Sequence, residues 1–415
     1  MRIAYLTQAY PPMVSGAAIS VQQLAETMAG HGHQILVIAA SDRKYPYNSY
    51  GNNLTIMRLN SFHNPMRVGQ RILVYPHQTI LQALRKFRPD VIHAHEPLIS
   101  WIGFNYAQRA NVPITLTVHM LPWSAKYLLP DIPGVRSFAE DAAWMYLRLM
   151  ARKFSSVITS TRMISEVVTR ETSIQAETIP CGINMQTFHS RPSPDIEIAT
   201  RARLNLPLNV PVILHVGRLD PEKRVDQVVL AAAQAMSQLD AHLLIVGDGR
   251  EKPALIQLCQ SLGIGDRAHF PGYISVEEGL PEIYRMASLF VMTSEVESQG
   301  IVLLEAAASG LPIAAVNATS ISEVVHDGIN GYLTVPGEVK ALGDAIAALL
   351  RSPEKSRQMG REGRIVAENY DIQRTQKLHE QFYERLINQK HIPAARKVTL
   401  NTRWKRLKIW MGFSE

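Results

Sequence analysis

The stretch SEVESQGIVLLEAAASGLP, residues 294–312, follows a short apolar run at 289–292 and reads as a strand, a loop and then a helix opening near Gly300. Free backbone N–H groups at a helix start favour an anion or sugar oxygens, and Gly300 lets a ligand approach the main chain. Glu297 stands at the loop mouth and Glu305 inside the helix, on either side of the apolar run 301–304. A helix this apolar is expected to be largely buried, and buried acids need partners. A single glutamate in such a place is more often a solvated helix acid; ligand hydroxyls are the alternative partner.

Working outward, the same unit recurs. Strand-like runs fall at 3–7, 34–39, 54–59, 91–94, 114–118 and 157–160, and again at 212–216, 243–246, 268–270, 289–292 and 313–316. Amphipathic segments at 17–31, 77–88, 98–110 and 136–153 separate the early ones. The runs are solidly Val/Ile/Leu rather than alternating, as in parallel strands buried on both faces. Alternating β and α at this spacing predicts an α/β protein built from doubly wound, Rossmann-like sheets. A chain of 415 residues exceeds one ordinary core. Residues 189–210 are rich in proline and polar side chains and read as a linker with a short helix inside. The expected layout is a first domain at 1–188, a second at 211–370, a helix at 371–388 and a tail at 389–415. Ligands of such sheets bind at the carboxyl ends of the strands, here in a cleft between the domains.

Composition excludes several classes. With 46% hydrophobic and 19% charged residues, the chain is neither disordered nor fibrous. Cys181 and Cys259 are the only cysteines, far apart, so neither a disulfide framework nor a zinc site is supported. The opening MRIAYLTQAYPP reads as a first strand rather than a signal peptide, and no apolar run is long enough to span a membrane. A cytoplasmic location is expected. Of the net +7, residues 390–415 carry +6, with seven Lys/Arg against Glu415, so the remainder is nearly neutral and nucleic acid is not an expected partner.

Two further stretches carry chemistry. In LHVGRLDPEKRVD, residues 214–226, a strand ends at Gly217, and Arg218 and Lys223 follow before the next helix. A planar fork and a mobile point charge suit a diphosphate. A surface loop closed by the salt bridges Arg218–Asp220 and Glu222–Lys223 is the equally weighted alternative. VGDG at 246–249 and HFPGY at 269–273 mark strand-to-loop turns at the same sheet edge, where Gly247, Gly272 and Tyr273 could support a nucleotide base.

In this order and spacing these elements resemble the retaining nucleotide-sugar glycosyltransferases of the GT-B fold, family GT4, over roughly residues 1–388. The resemblance implies that Glu305 binds ribose hydroxyls and Glu297 donor-sugar hydroxyls. It implies that Arg218 and Lys223 hold the diphosphate, and that the backbone of Gln299, Gly300 and Ile301 caps sugar and phosphate oxygens. In the first half, Ser15-Gly16 is similar to the family's glycine-rich loop, DVIHAHEP at 90–97 to its D-V-[IV]-H-x-H-x-P pattern, and IPCGINMQTF at 179–188 to its domain junction. His119, in TVHM, stands at a strand mouth where the family places a histidine near the reacting sugar; His93 and His95 are more often packed core residues. The chain departs from the family at Thr319-Ser320-Ile321-Ser322-Glu323, where Gly-Gly-x-x-Glu is commoner, at Cys181 for Asn and at Arg224 for Gly.

No Asp-x-Asp pair is present to hold a metal, so Arg218, Lys223 and helix N-termini are expected to stabilise the leaving diphosphate without a cofactor. The family implies retention of configuration. A glycoside hydrolase needs carboxylates about 5–9.5 Å apart. Eight helical residues would separate Glu297 from Glu305 by about 12 Å. A non-catalytic sugar-nucleotide or lipid binder would have no use for a phosphate clamp together with His119. The acceptor is a sugar or a lipid, and two features favour lipid. In the tail, Leu400, Trp404, Leu407 and Met411 share a helical face flanked by Arg403, Lys405, Arg406 and Lys408, with Trp410 nearby. In residues 133–153, Trp144 and Tyr146 lie among Leu and Met ahead of Arg152 and Lys153. Both suggest peripheral binding to an anionic membrane surface at its inner face; the alternatives are a tail helix packed on the first domain and, at 133–153, an ordinary core helix.

Overall fold

The computed structural model describes residues 1–13, 15–64, 71–74, 77–95, 97–119, 122, 134–189 and 194–389. Two parallel sheets form it. The first contains β1 (Arg2–Leu6), β2 (Gln34–Ala40), β3 (Tyr47–Gly51), β4 (Leu54–Leu59), β7 (Val91–Ala94), β8 (Ile114–Thr117), β9 (Ser156–Thr159) and β10 (Ala176–Thr178). Its order is β10-β9-β8-β7-β1-β2-β4-β3, parallel except for the β3–β4 edge. β5 (Ser61–His63) and β6 (Arg71–Leu73) pair separately.

The second sheet contains β11 (Val212–Val216), β12 (His242–Val246), β13 (Ala268–Gly272), β14 (Leu289–Met292), β15 (Ile313–Val316) and β16 (Gly331–Thr334), in the order β13-β12-β11-β14-β15-β16. This is the doubly wound order, with its switch point between β11 and β14. The loops that follow those two strands are the ones carrying Arg218–Lys223 and Glu297–Gly300. Their central strands are buried throughout, as solid apolar runs require.

The strands absent from the sequence reading are β3, β5, β6, β10 and β16. They are short or polar, and β3 has an exposed outer face, so none carries a buried apolar run.

The crossing between domains differs from the expected linker. Ile183 and Phe188 already pack in the second core, as do Leu204 and Leu206. The helix Pro194–Arg203 is pinned there by Arg201, whose buried guanidinium donates to the carbonyls of Pro207, Val210 and Met286. Residues 194–210 are thus part of the second domain, because a proline-rich polar stretch still contains one long side chain able to satisfy three carbonyls. The chain returns beside its outward crossing, where Ile183 pairs with Asp371. The helix Ile372–Gln389 then packs on the first domain, burying Phe382, Tyr383 and Leu386 in the core of β1, β2 and the helix Gly16–Gly30.

Candidate active site

The switch point of the second sheet assembles the charges. β11 ends at Gly217, and Arg218 turns back on its own loop: its Nη1 donates to Asp220, and its Nη2 to Glu222 Oε1 at 2.7 Å. The expected Arg218–Asp220 bridge forms. Lys223 instead reaches across the switch point and donates from Nζ to Glu297 Oε1. The proposed diphosphate cation and the proposed sugar acid therefore meet in one ion pair. Thr293, at the end of β14, ties the two loops by donating to the carbonyls of Lys223 at 3.1 Å and Arg224 at 2.7 Å.

Glu297 lies in the loop, not in a helix. The helix Ile301–Ala308 starts after Gly300, whose φ of 75° sets the left-handed entry. Glu305 lies inside that helix and is 5% exposed. Its partner is the Tyr284 hydroxyl, which donates at 2.8 Å. Burial nevertheless raises the Glu305 carboxyl to about 7.

Gly247 and Gly249 have a packing reason. A Cβ on Gly247 would stand 1.8 Å from the Gly217 carbonyl oxygen, and one on Gly249 2.4 Å from that of Leu219. The VGDG turn lets the loops after β11 and β12 lie against each other. Gly272 continues this edge, its carbonyl accepting from Gly247 N–H at 2.8 Å, and Tyr273 beyond it is half exposed.

The first domain closes the other side. Ser15 caps the helix Gly16–Gly30, and a methyl group placed on Gly16 would lie 3.5 Å from Ile301 Cδ1. The starts of these two helices therefore face each other across the cleft. His119 follows β8, and its carbonyl accepts from Ser298 Oγ. Its Nε2 pairs with His95 Nδ1 at 2.9 Å. The His95 ring lies tilted against that of His93, centroids 4.1 Å apart, and His93 is held by Thr117 and Tyr383, each at 2.6 Å. Burial holds His119 down to about 4, so its imidazole is neutral at pH 7. Sequence reading treated His93 and His95 as core residues. They are buried, but His95 also touches His119; the period-two spacing of HAH, which puts both on one strand face, was the available signal.

Contacts between the domains converge on the donor loop. Ser160 and Thr161 hydroxyls both donate to the Ser298 carbonyl at 3.1 Å. Glu323 of the Thr319–Glu323 departure accepts from the N–H groups of Arg162 and Met163, at 3.0 and 2.7 Å, capping the helix Arg162–Thr172 from the opposite domain. The Arg224 and Thr319 departures both sit at positive φ, 49° and 45°, which is why glycine suits those places.

Of the expected acceptor residues, Trp144 is 7% exposed and packs in the first core, so it is not at a surface: on its helix Val135–Ala151 the exposed large apolar residues are Val135, Phe138 and Leu149. Lys153 is placed over the rings of Trp101 and Phe104, 4.9 Å from each centroid, and Arg152 is half-buried beside it. Trp404 and Trp410 lie outside the described residues. No helix among the described residues is long and apolar enough to cross a membrane.

Comparison with known proteins agrees with this geometry. The model "Glycosyl transferases group 1" matches residues 197–366, and "Glycosyltransferase Family 4" matches residues 14–187. The GDP-mannose-dependent alpha-mannosyltransferase of Mycobacterium tuberculosis is 29% identical, over 86% of this chain and 89% of that one. The alpha-monoglucosyldiacylglycerol synthase of Acholeplasma laidlawii is 25% identical, over 80% and 84%. Among solved structures, a sucrose-phosphate synthase from Thermosynechococcus elongatus superposes with a TM-score of 0.78 at 24% identity, over 94% of this chain and all of that one. The chain belongs to the group 1 glycosyltransferases of family GT4 and has the GT-B fold. It is an enzyme, a hexosyltransferase that uses a nucleotide-sugar donor.

Proposed function

We propose that the enzyme moves a hexose, glucose from UDP-glucose or mannose from GDP-mannose, with retention and without a metal ion, onto a membrane lipid or glycolipid such as diacylglycerol. The observation that carries the transfer chemistry is the meeting of Lys223 and Glu297 at the β11/β14 switch point, opposite neutral His119. A sugar diphosphate entering there would take Lys223 for its phosphate and Glu297 for its hydroxyls. Lys223 and the N–H groups that open the helix Ile301–Ala308 would then stabilise the leaving diphosphate. In front-face transfer that phosphate accepts the acceptor's proton as the anomeric bond breaks. Glu305 would take the ribose, and Arg218 would share the phosphate charge once released from Asp220 and Glu222.

The lipid acceptor is supported by the first domain's outer face. Trp101 and Phe138 are about half exposed, Leu149 is similarly open, and Lys153 stands beside Trp101. Exposed apolar side chains, one of them with a lysine beside it, suit an anionic bilayer and a cytoplasmic, peripheral enzyme. The basic tail adds to this reading. The test is an assay of UDP-glucose, UDP-galactose and GDP-mannose against diacylglycerol, glycosyl-diacylglycerol, phosphatidylinositol and soluble sugars. Vesicle sedimentation of the full chain and of a truncation ending at Gln389 runs beside it. Transfer to lipid, lost with vesicle binding on truncation, is expected. Transfer only to a soluble sugar, with equal partition of the two forms, would overturn the lipid reading.

A further inference from the structure

Two hydroxyl side chains grip the main chain of Glu297 from both directions. Thr319 Oγ1 accepts from Glu297 N–H at 3.0 Å, and Ser320 Oγ donates to the Glu297 carbonyl at 3.0 Å. Ser320 is fully buried, and Thr319 is half-buried. Both lie just past β15, on the neighbouring loop of the second sheet. Thr319 occupies φ 45°, a conformation that a β-branched residue adopts only when its surroundings over-determine it. Such strain concentrates at sites where placement matters.

The grip acts on one residue. Glu297 is bound at its N–H, at its carbonyl and, through its side chain, at Lys223. Its backbone therefore has one position relative to β15, and the carboxylate has one position relative to the cation. A glycine at 319 would fit the backbone without strain but would supply no hydroxyl. The strained threonine is thus explained by its oxygen rather than by the turn.

We infer that Thr319 and Ser320 are positioning residues that hold Glu297 in register with the donor sugar. The inference rests on the reading of Glu297 as a donor-sugar contact. Because they act on the sugar end of the donor, their loss lowers turnover while leaving the grip on the nucleoside diphosphate intact.

The test uses the full chain and four variants, Thr319→Ser, Thr319→Val, Thr319→Gly and Ser320→Ala. Turnover and KM are read with the preferred nucleotide sugar, Kd with the matching nucleoside diphosphate alone, and Tm by thermal melting. Loss of one hydrogen bond corresponds to about five- to tenfold in rate. Thr319→Val, Thr319→Gly and Ser320→Ala should lose about that much in kcat with Kd unchanged. Thr319→Ser, which keeps the oxygen, should stay close to wild type. Thr319→Gly should melt within a few degrees of wild type, because glycine relieves the strained φ. Wild-type kcat in both the valine and glycine variants would overturn the inference. So would a parallel weakening of nucleoside diphosphate binding, which would mark a general structural role. A wild-type enzyme that releases no nucleotide from any nucleotide sugar would overturn the donor reading, and this inference with it.

Discussion

Gln299 and Cys181 are joined by a two-way clamp: Cys181 N–H donates to Gln299 Oε1 at 2.7 Å, and Gln299 Nε2 donates to the Cys181 carbonyl at 2.9 Å. The side chain that precedes Gly300 thus fastens the donor loop to the junction where the chain leaves the first domain. Gln299 is 3% exposed, so each half of the clamp replaces a lost water contact. Gln299→Ala strands both Cys181 groups and should cost about 1–3 kcal/mol. Gln299→Glu keeps the acceptor but sets an oxygen against the Cys181 carbonyl, and should cost at least as much. The check is the shift in unfolding midpoint. Wild-type midpoints in both variants would show that the clamp adds nothing to stability.

The Glu305 carboxyl gives the enzyme a pH dependence with a definite sign. Its folded value, about 7, lies above the ordinary carboxylate value of 4.5, and burial is the cause. Between those two values the folded protein holds a proton that the unfolded chain has released. Its contribution to stability is complete below about pH 4.5, declines as pH rises towards 7 and is constant above. On the proposed reading of Glu305, ribose hydroxyls would donate to its ionised form. Nucleoside diphosphate affinity should therefore strengthen as pH rises through about 7, beyond any change seen in Glu305→Gln, which cancels the nucleotide's own titration. Parallel profiles for the two proteins would separate Glu305 from nucleotide binding.

Lys223 and Arg224 both reach across the switch point, to Glu297 and Glu295, and Lys223 is the one paired with the proposed sugar acid, so Lys223→Ala should reduce turnover by about 10²–10³, the scale of one preorganised charge contact in a transition state. Its removal also frees Glu297, so KM for the donor should change with it. Lys223 closes the 3-10 turn Pro221–Lys223, and its removal leaves the mostly buried Glu297 carboxylate without its cation, so the unfolding midpoint is measured beside turnover. Near-normal turnover in Lys223→Ala would remove it from the mechanism.

Charge compensation of the leaving diphosphate by Lys223, Arg218 and the N–H groups at the start of the helix Ile301–Ala308 predicts that activity survives excess EDTA. Loss of activity with EDTA, restored by Mn²⁺ or Mg²⁺, would mean that a metal carries the charge instead.

Much of this architecture was legible in the chain. The eleven apolar runs read as strands all appear; most are buried on both faces and have no polar position to disguise them, while β4 and β13 are only partly buried. The glycine at 300 and the apolar helix behind it were also legible, since a left-handed turn and a buried face each leave a local mark. The linker was misplaced because Arg201 looks polar in sequence and is buried in the structure. Trp144 and Tyr146 both pack on the first core, the alternative that such a segment leaves open, because an amphipathic pattern does not say whether its aromatics meet a core or a surface.

By itself the sequence determined two doubly wound sheets and placed Arg218, Lys223, Glu297 and Glu305 on loops and a helix at the carboxyl ends of strands. Only the tertiary structure decided who meets whom. Lys223 pairs with Glu297, 74 residues away, rather than with its neighbour Glu222. His95 supports His119, Glu323 caps a helix of the other domain, and Ile372–Gln389 returns to the first core. Periodicity fixes which face of an element is buried, since that depends on a residue's own neighbours along the chain. It carries no record of the surface that face will meet. That choice is made as the elements pack: the second sheet's own switch point brings its charges together, and the approach of the two halves adds the Glu323 cap and the Gln299–Cys181 clamp.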